Sequence, residues 1–243
     1  MNTISNMSNS KIRFFNAITG SENSSKLTIF LNDQQILSNF DKSSPYFSFS
    51  PGTFTLKITT SNNITMTSNI TTESSKCYTI VIRGICGNNN YPISIIGLED
   101  TQECCETSKV RIIHSAVNID CVDALISPCS SKKSKILAKT LTYCNAVNSE
   151  YKTVSCGTYD ISIVSSSKNE KKSKNKRKQL LPPITVKFIP NKIYTIFVYR
   201  PTLCTANIVA TIDYTCPKKC LETCPKKGPE TCPKKCPETC DKL

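Results

Sequence analysis

Cysteines at the carboxyl-terminal end of the chain are the residues whose type and spacing most clearly point to chemistry. An eight-residue unit, Thr-Cys-Pro-Lys-Lys-Cys-Pro-Glu, repeats with small variations between residues 215 and 243. Its cysteines are Cys216, Cys220, Cys224, Cys232, Cys236 and Cys240, and Gly228 stands where the pattern expects another. A spacing of four would align these residues on one face of a helix, but recurring prolines exclude a helix. The tail is therefore predicted to be irregular, either extended or a chain of turns.

This geometry favours disulfides to another chain over disulfides within the tail. Cysteines four residues apart in an extended chain lie about 13 Å from each other, whereas a disulfide needs Cα atoms within about 7 Å. Because every spacing is even, a β-like tail would present all its thiols on one side. A flexible reduced tail, or one curled into small local loops, is the alternative.

The remaining cysteines lie in the body of the chain. Cys104 and Cys105 are vicinal, and a ring that small is strained, so two adjacent thiols more naturally reach two different partners. The alternative is that one of the two is simply buried. Seven others are candidates for disulfides inside the domains, worth about 2 to 4 kcal/mol each, with a connectivity that sequence does not give. They are Cys77, Cys86, Cys121, Cys129, Cys144, Cys156 and Cys204.

Cysteine usage and the start of the chain conflict with each other. Fifteen cysteines in 243 residues are typical of an oxidising compartment, and an odd number leaves at least one thiol unpaired or bonded between chains. The first residues, however, contain no apolar core and no small-residue cleavage site, so they do not form a secretory signal peptide. Either the thiols bind metal in a reducing cytosol, or the protein is made there and oxidised later.

Neither catalysis nor a dedicated metal site is predicted. His114 is the single histidine, on a predicted strand, where such a residue is usually packed or solvated. The sequence contains no glycine-rich phosphate loop, no nucleophile elbow and no zinc-protease helix motif, so we expect no enzyme and no cofactor. Cysteines spaced by four fall within the range of zinc sites, but Cys-x-x-Cys knuckles and partner histidines are missing. Metal storage by thiols is kept as an alternative function.

Much of the formal net charge of +13 lies in a run from residue 168 to residue 178. A run of this kind could bind polyanions, and the candidates are Lys171, Lys172, Lys174, Lys176, Arg177 and Lys178. Aromatic residues do not interleave it, so stacking on bases is unsupported and no nucleic-acid partner is expected. We interpret the run as a solvated loop between two strands, with an adhesin that uses it as the alternative. No apolar run approaches the roughly 18 residues of a membrane span, so insertion into a membrane is not expected.

The elements that must position these residues are short strands. Apolar residues alternate with polar ones through Leu27, Ile29 and Leu31, through Phe54, Leu56 and Ile58, and through Tyr78, Ile80 and Ile82. Alternation with period two is typical of strands that bury one face, and the clusters of Asn, Ser, Pro and Gly between them indicate turns, as at Asn32-Asp33. Two such sheets packed face to face make a sandwich.

The strand pattern occurs twice, which indicates two copies of one unit of roughly 100 residues. The segment Ser-Lys-Ile-Arg-Phe-Phe-Asn-Ala from residue 10 is repeated as Ser-Lys-Val-Arg-Ile-Ile-His-Ser from residue 108. Gly-Thr-Phe-Thr-Leu-Lys-Ile from residue 52 matches Gly-Thr-Tyr-Asp-Ile-Ser-Ile from residue 157. Lys-Cys-Tyr-Thr-Ile from residue 76 matches Lys-Ile-Tyr-Thr-Ile from residue 192. The growing offset between copies predicts insertions in the second, one of them the basic loop.

The predicted fold is all-β, with two tandem immunoglobulin-like β-sandwich domains and an irregular tail rich in Cys, Pro and Lys. The boundaries are a disordered amino terminus at 1–10, a first sandwich at 11–98, an acidic linker with the vicinal cysteines at 99–107, a second sandwich at 108–214 with the basic loop 168–178, and the tail at 215–243.

These repeated motifs resemble an uncharacterised family of bacterial surface β-sandwich domains. The family often carries Arg-x-x-His-Ala-Ser near its start and Pro-Ala-Gly-Thr-Tyr before a central strand. Arg-Ile-Ile-His-Ser at 111–115 and Pro-Gly-Thr-Phe at 51–54 are partial matches, while the family's Pro-Asp-Ala-Pro stretch is absent. The resemblance spans about residues 10 to 213 and implies two sandwich domains.

A sandwich body with many cysteines and no signal peptide also resembles the cysteine-rich exosporium proteins of clostridial spores. That resemblance implies synthesis in the mother-cell cytosol, oxidation on the spore surface, and self-assembly into a disulfide-linked outer layer. We therefore expect a structural protein whose main partner is itself, with other spore-surface proteins as further partners. The cysteines expected to bond between chains are Cys104, Cys105, Cys216, Cys220, Cys224, Cys232, Cys236 and Cys240.

Overall fold

Every regular element of the described chain is a β-strand. The computed structural model describes residues 8–20, 26–86, 88–103, 106–131, 133–143, 150–166 and 177–215. Within these ranges the chain divides into two compact units. Unit 1 holds residues 8–101 with the short segments 115–117 and 200–206, and unit 2 holds the rest. No described segment forms a helix with the length and apolar character needed to cross a bilayer.

Unit 1 is a sandwich of two four-stranded sheets. Its strands are β1 Ser10–Thr19, β2 Leu27–Leu31, β3 Gln34–Phe40, β4 Phe47–Phe49, β5 Gly52–Thr60, β6 Thr65–Thr72, β7 Cys77–Ile85 and β8 Ser94–Asp100. One sheet has the order β4-β1-β7-β8 and the other has the order β3-β2-β5-β6. In the first sheet β1 and β7 run parallel, and the other neighbours are antiparallel.

The core of unit 1 lies between these two sheets. Ile12 and Phe14 of β1 and Ile80 and Ile82 of β7 pack with side chains of the facing sheet. Those facing side chains are Leu27, Ile29 and Leu31 of β2, and Leu56 and Ile58 of β5. Each of these residues holds an apolar position of the sequence alternation, so the predicted core faces are confirmed.

Unit 2 repeats the same arrangement. Its strands are β9 Ser108–His114, β10 Val122–Pro128, β11 Lys135–Leu141, β12 Lys152–Val154, β13 Gly157–Ser165, β14 Ile184–Phe188, β15 Lys192–Tyr199 and β16 Asn207–Thr215. The sheet orders are β12-β9-β15-β16 and β11-β10-β13-β14, so each strand takes the place of the strand eight positions earlier. Parallel pairing recurs between β9 and β15. The prediction of an all-β chain with tandem sandwich domains is confirmed.

The strand order departs from that of an immunoglobulin constant domain, in which the first strand lies beside the second in one sheet. Here β1 and β2 belong to different sheets, and β1 lies between β4 and β7. The long parallel pairing explains the difference, because β1 joins a strand that begins near residue 77 rather than its sequence neighbour.

Two features near unit boundaries differ from the sequence prediction. Ser10, placed in the disordered segment, begins β1 and is fully buried, with its hydroxyl donating to the Phe49 carbonyl at 3.2 Å. Glu99 and Asp100, placed in the linker, complete β8. In both cases pairing with a neighbouring strand extends the sheet beyond the apolar alternation.

The Asn32-Asp33 turn is confirmed. It joins β2 to β3 as a two-residue hairpin loop, and both residues have positive φ, 47° and 62°. Asn and Asp tolerate this left-handed conformation, which a type I′ turn requires at both central positions.

Candidate functional site

Cys77 and Cys86 of unit 1 are too far apart to form a disulfide with each other. Cys77 begins β7, and Cys86 directly follows its last residue. Nine residues of strand separate them by about 30 Å at roughly 3.3 Å per residue. Both keep their sulfur as a thiol, because a disulfide needs Cα atoms within about 7 Å.

The same geometry applies in unit 2. Cys121 immediately precedes β10 and Cys129 immediately follows it, so about 26 Å of strand lies between them. Both are thiols, as is Cys204 in the segment 200–206. The predicted staples among these five cysteines are therefore not formed. Cys156 is disulfide-bonded, and its partner is none of the other five described cysteines.

Burial separates four of the five thiols into two kinds, and Cys121 is intermediate. Cys77 is 4% exposed, and burial raises its pKa. Burial also raises the pKa of the half-buried Cys86. Cys129 and Cys204 are exposed at the surface. Since the thiolate is the reactive form, Cys77 and Cys86 are poor nucleophiles near neutral pH, and the two exposed thiols are accessible to other sulfur atoms.

We expect alkylation of the native protein to follow this division. Treatment with N-ethylmaleimide at pH 7 should modify Cys129 and Cys204 within minutes, and Cys77 at least tenfold more slowly. Two causes act together on Cys77, steric exclusion and a smaller thiolate fraction at a given pH, so its labelling should rise as pH approaches its raised pKa. Peptide mass mapping after timed quenching measures each rate.

Labelling in denaturant provides the control, because unfolding should equalise the rates of all five thiols. Equal rates in the native protein would contradict the assigned burial.

The predicted intermolecular cysteines, Cys104, Cys105, Cys216, Cys220, Cys224, Cys232, Cys236 and Cys240, lie outside the described residues. The same holds for Cys144 among the intradomain candidates. Among the described cysteines, Cys129 and Cys204 are exposed thiols, Cys77 is a buried thiol, Cys86 and Cys121 are partly buried thiols, and Cys156 is disulfide-bonded.

The basic loop leaves unit 2 between β13 and β14, as predicted. Its described base is closed by backbone hydrogen bonds between Ser165 and Lys178 and between Leu180 and Ile163. Arg177 lies 3.6 Å from the Asp123 carboxylate of β10, which is almost completely buried. Of the polyanion candidates, Arg177 is thus engaged by the domain itself. Lys171, Lys172, Lys174 and Lys176 lie outside the described residues.

His114 is a buried structural group rather than a residue open to solvent. Its ring is 1% exposed, and Nε2 lies 3.2 Å from the Ile119 carbonyl and 3.3 Å from the Asp120 carbonyl. Carbonyl oxygens only accept, so Nε2 is protonated and donates to them. Asn16 holds the equivalent position in unit 1, and its amide donates to the Phe40 carbonyl at 3.2 Å. Through these hydrogen bonds each residue links its strand to backbone carbonyls outside that strand.

A buried polar cluster joins two of the repeated motifs in unit 1. Arg13 belongs to the first motif and Thr79 to the third, and Arg13 Nε donates to Thr79 Oγ1 at 2.8 Å. The Thr79 hydroxyl donates in turn to the Asp100 carboxylate, whose two oxygens lie 2.9 and 2.7 Å away. Tyr46 donates to the same carboxylate at 2.6 Å, and its ring lies 5.1 Å beneath the Arg13 guanidinium.

Unit 2 contains the same cluster. Arg111 Nε donates to Thr195 Oγ1 at 2.9 Å, and Thr195 donates to Asp213. Tyr151 donates to Asp213 at 2.9 Å, and its ring lies 4.7 Å from the Arg111 guanidinium. The sequence motifs contained the arginine and threonine of each cluster. The aspartates and tyrosines were missed, because they come from other strands or loops and no local pattern marks them.

The tyrosine of the third motif has a separate role in each unit. Tyr78 accepts the backbone N–H of Glu73 at 3.1 Å, and Tyr194 accepts that of Ile189 at 3.0 Å. Each bond reaches back five residues across the turn that precedes β7 or β15. Burial raises the pKa of Tyr194, so its hydroxyl stays protonated and also donates to the Lys187 carbonyl at 3.2 Å. The repeated motifs therefore serve folding, through turns and a buried network.

Within the described ranges, no group of three or more His, Cys, Asp or Glu side chains is placed to hold a metal ion. One shallow cleft of about 410 Å³ lies in unit 1 along β6, β7 and β8 and is lined by residues such as Ile70, Thr72, Tyr78 and Glu99. This cleft contains none of the candidate cysteines.

Comparison with known proteins matches part of the chain to one domain family of unknown function. No curated protein matches the chain. Among solved structures, a leucine-rich repeat protein from Bacteroides thetaiotaomicron aligns over 80% of this chain at 12% identity with a TM-score of 0.20. The chain spans 26% of that protein, and a similarity this weak carries no argument. The family model described as "Domain of unknown function (DUF4397)" matches residues 10–125, from β1 through β8 and on into β9 and β10 of the second copy.

Proposed function

We propose that the protein is a structural, self-assembling protein whose copies are linked by disulfides into the outer surface layer of a spore. One observation carries the proposal. The body of the chain places its cysteines at the ends of strands, where Cys77 and Cys86, and Cys121 and Cys129, are each held about 30 Å apart or slightly less. Each of these cysteines therefore cannot bond to the cysteine at the other end of its strand and remains available to other partners.

The arrangement of the body supports this role. Each unit is a sandwich with buried apolar side chains and a polar cluster whose arginine, threonine and aspartate are buried, so we treat each as one building block. Cys129 and Cys204 lie on the surface of unit 2 and unit 1 respectively, so each block carries an accessible thiol. Building blocks with reactive surface groups extend into rings, sheets or fibres, according to whether repeated contacts close.

The spore location comes from the resemblance to cysteine-rich exosporium proteins and from the chemistry of the thiols. A protein made in a reducing cytosol keeps its thiols until it meets an oxidising surface, and cross-linking then begins after release. This order of events accounts for the large number of cysteines. The main partner is another copy of the same chain, and other spore-surface proteins are further candidates.

Electrophoresis with and without reductant tests the proposal. After air oxidation, the wild-type chain should give a ladder of oligomers that collapses to monomer with dithiothreitol. A variant in which Cys104, Cys105, Cys216, Cys220, Cys224, Cys232, Cys236 and Cys240 are replaced by serine should lose most of the ladder, because these are the cysteines expected to bond between chains. Bonds through the exposed Cys129 and Cys204 account for the remainder.

A charge variant is the matched control. Lys171, Lys172, Lys174, Lys176 and Lys178 are replaced by glutamine, and Arg177 is retained because it pairs with Asp123. Its ladder should equal that of the wild type, whereas an adhesin would lose its polyanion ligand. Monomers that bind stoichiometric zinc, or bridges that all close within one chain, would overturn cross-linking as the function.

A further inference from the structure

β16 forms one edge of unit 2. It is the last strand of the sheet β12-β9-β15-β16, so within the described chain no strand lies on its outer side. From Asn207 to Ile212 it pairs with β15 in an unbroken register, and the register shift lies beyond Ile212. A regular, apolar edge of this kind can continue its sheet by pairing with a strand of another chain.

Charge separates β16 from the other edge strands of unit 2. β11, β12 and β14 each carry an exposed lysine, namely Lys139, Lys152 and Lys187. Lysines on an edge strand hinder pairing with another chain. β16 contains no lysine or arginine, and its single carboxylate, Asp213, is 5% exposed and accepts from Tyr151. Two copies of a chain whose net charge is +13 can therefore meet at this edge without bringing like charges together.

The same strand carries a row of apolar side chains that its own sandwich leaves partly uncovered. Ile208, Ala210 and Ile212 lie opposite residues of β15 that are at most 4% exposed. Residues directly opposite each other point to the same face of a sheet, so these three side chains line the margin of the core. Ile212 is 48% exposed, and Ile208 and Ala210 are partly exposed.

Two copies of β16 complement each other in an antiparallel arrangement. A two-fold axis at Ala210 places Ile208 opposite Ile212 of the second copy, and Val209 opposite Thr211 of the second copy. Paired positions then differ by an even number of residues, so the outward backbone groups of one strand meet those of the other. The two pairs of isoleucines come together on the core side, where each covers the exposed side chain of its partner.

We propose that β16 is the surface through which two copies of the chain associate, in this antiparallel register. A two-fold contact of this kind uses the same patch on both copies, and it joins two four-stranded sheets into one continuous sheet. Shifting the axis to Val209 fits less well, because Ile212 would then lie opposite Ala206, before the strand begins.

This contact deepens the proposed function, on which it rests, by naming where copies meet before any disulfide forms. It involves no sulfur, so it forms in the presence of reductant. A single strand edge buries less than the roughly 1,600 Å² of a standard interface, so we expect a dissociation constant on the order of 100 μM. Disulfides would then make a weak contact permanent.

Sedimentation equilibrium of the reduced full-length protein tests the contact. In dithiothreitol the wild type should form dimers as its concentration rises to about 1 mM. Ile212→Lys should raise the dissociation constant roughly tenfold or more, because it adds to β16 the charge that the other edges carry. Ile136→Lys is the matched control, since Ile136 is 39% exposed on the edge strand β11, and it should dimerise like the wild type. A wild type that stays monomeric, or equal losses in both variants, would overturn the proposal.

Cross-linking checks the register with substitutions that add no charge. Ala210→Cys is introduced into the variant in which the eight candidate intermolecular cysteines are serine, and the protein is oxidised in air. Mass spectrometry should find a disulfide that joins position 210 of the two copies. Asn207→Cys should give no such self-linkage, because the two copies of residue 207 would lie about 20 Å apart along the strands. Self-linkage that is equally abundant at both positions would contradict the register.

The two proposals fail separately. A wild-type chain that dimerises in reductant but gives no ladder after oxidation refutes the proposed function alone. A chain that gives the ladder but remains monomeric in reductant refutes the β16 contact alone.

Discussion

Thr79→Val is expected to destabilise unit 1 by roughly 3 kcal/mol, the cost of removing a hydrogen-bond partner that two buried charged groups share. Valine has nearly the same shape as threonine, so the cavity and packing terms stay small. The hydroxyl of Thr79 accepts from Arg13 and donates to Asp100, and all three residues are at most 3% exposed. Without the Thr79 hydroxyl, the buried Arg13 guanidinium and the buried Asp100 carboxylate lose the hydrogen-bond partner that they share. Urea unfolding followed by circular dichroism should show the unit 1 transition shifted to lower denaturant by about 1 M or more.

Thr53→Val is the matched control for this substitution. Thr53 is exposed on β5, and its hydroxyl contacts the exposed Thr71 hydroxyl at 3.0 Å. We expect a change of less than about 0.5 kcal/mol there, as for most surface positions. Thr195→Val should reproduce the large effect in unit 2, because Thr195 is fully buried between Arg111 and Asp213. Equal effects for Thr79→Val and Thr53→Val would show that the cluster contributes nothing beyond an ordinary hydroxyl.

Gly84→Ala is expected to have the other large effect, a loss of roughly 3 kcal/mol or more from overpacking and a strained backbone. A Cβ at this position of β7 would lie 2.5 Å from the Pro92 carbonyl oxygen and 2.8 Å from Ile93 Cα. Both contacts are backbone atoms, so no side chain can rotate away to make room. In addition, φ is +128° at Gly84, a conformation that residues with a Cβ rarely adopt. Thermal unfolding should show a lowered melting temperature for unit 1.

Gly97→Ala on the adjacent strand β8 is the control for added volume. A Cβ there would meet Ile80 Cδ1 at 3.6 Å, an ordinary contact with the tip of a side chain. We expect a change within about 0.5 kcal/mol. If both alanines destabilised the protein equally, loss of glycine in a strand would explain the result, and the close approach of β7 to the 92–93 backbone would not.

The sandwich architecture was predictable because it follows from local patterns. Apolar residues at alternate positions, such as Ile80 and Ile82, identified the core-facing side of each strand, and the matched segments at residues 10 and 108 identified the duplication. What alternation did not show is that β7 is buried on both faces. Cys77 and Thr79 occupy the polar side of the pattern and are nevertheless buried.

The buried polar cluster and the disulfide connectivity could not be predicted, because each depends on residues that are far apart in the sequence. Thr79 is buried because Arg13, Tyr46 and Asp100 converge on it from β1, a loop and β8, and no spacing along the chain encodes that meeting. Disulfide connectivity could not be predicted for the same reason. Cysteines that lie close in sequence, such as Cys77 and Cys86, are separated by a full strand.

The parallel pairing of β1 with β7 also bears on how the chain acquires its fold during synthesis. Arg13 and its partner Thr79 are 66 residues apart, and the equivalent residues of unit 2 are 84 apart. While a ribosome is still making the intervening strands, the first strand of each unit has no neighbour on that side. Closing such distant contacts is slow, so each unit should fold late and in one step, after its seventh strand has emerged. Until then nascent cysteines are exposed, and the synthesis in a reducing cytosol that we propose would protect them from premature bonding.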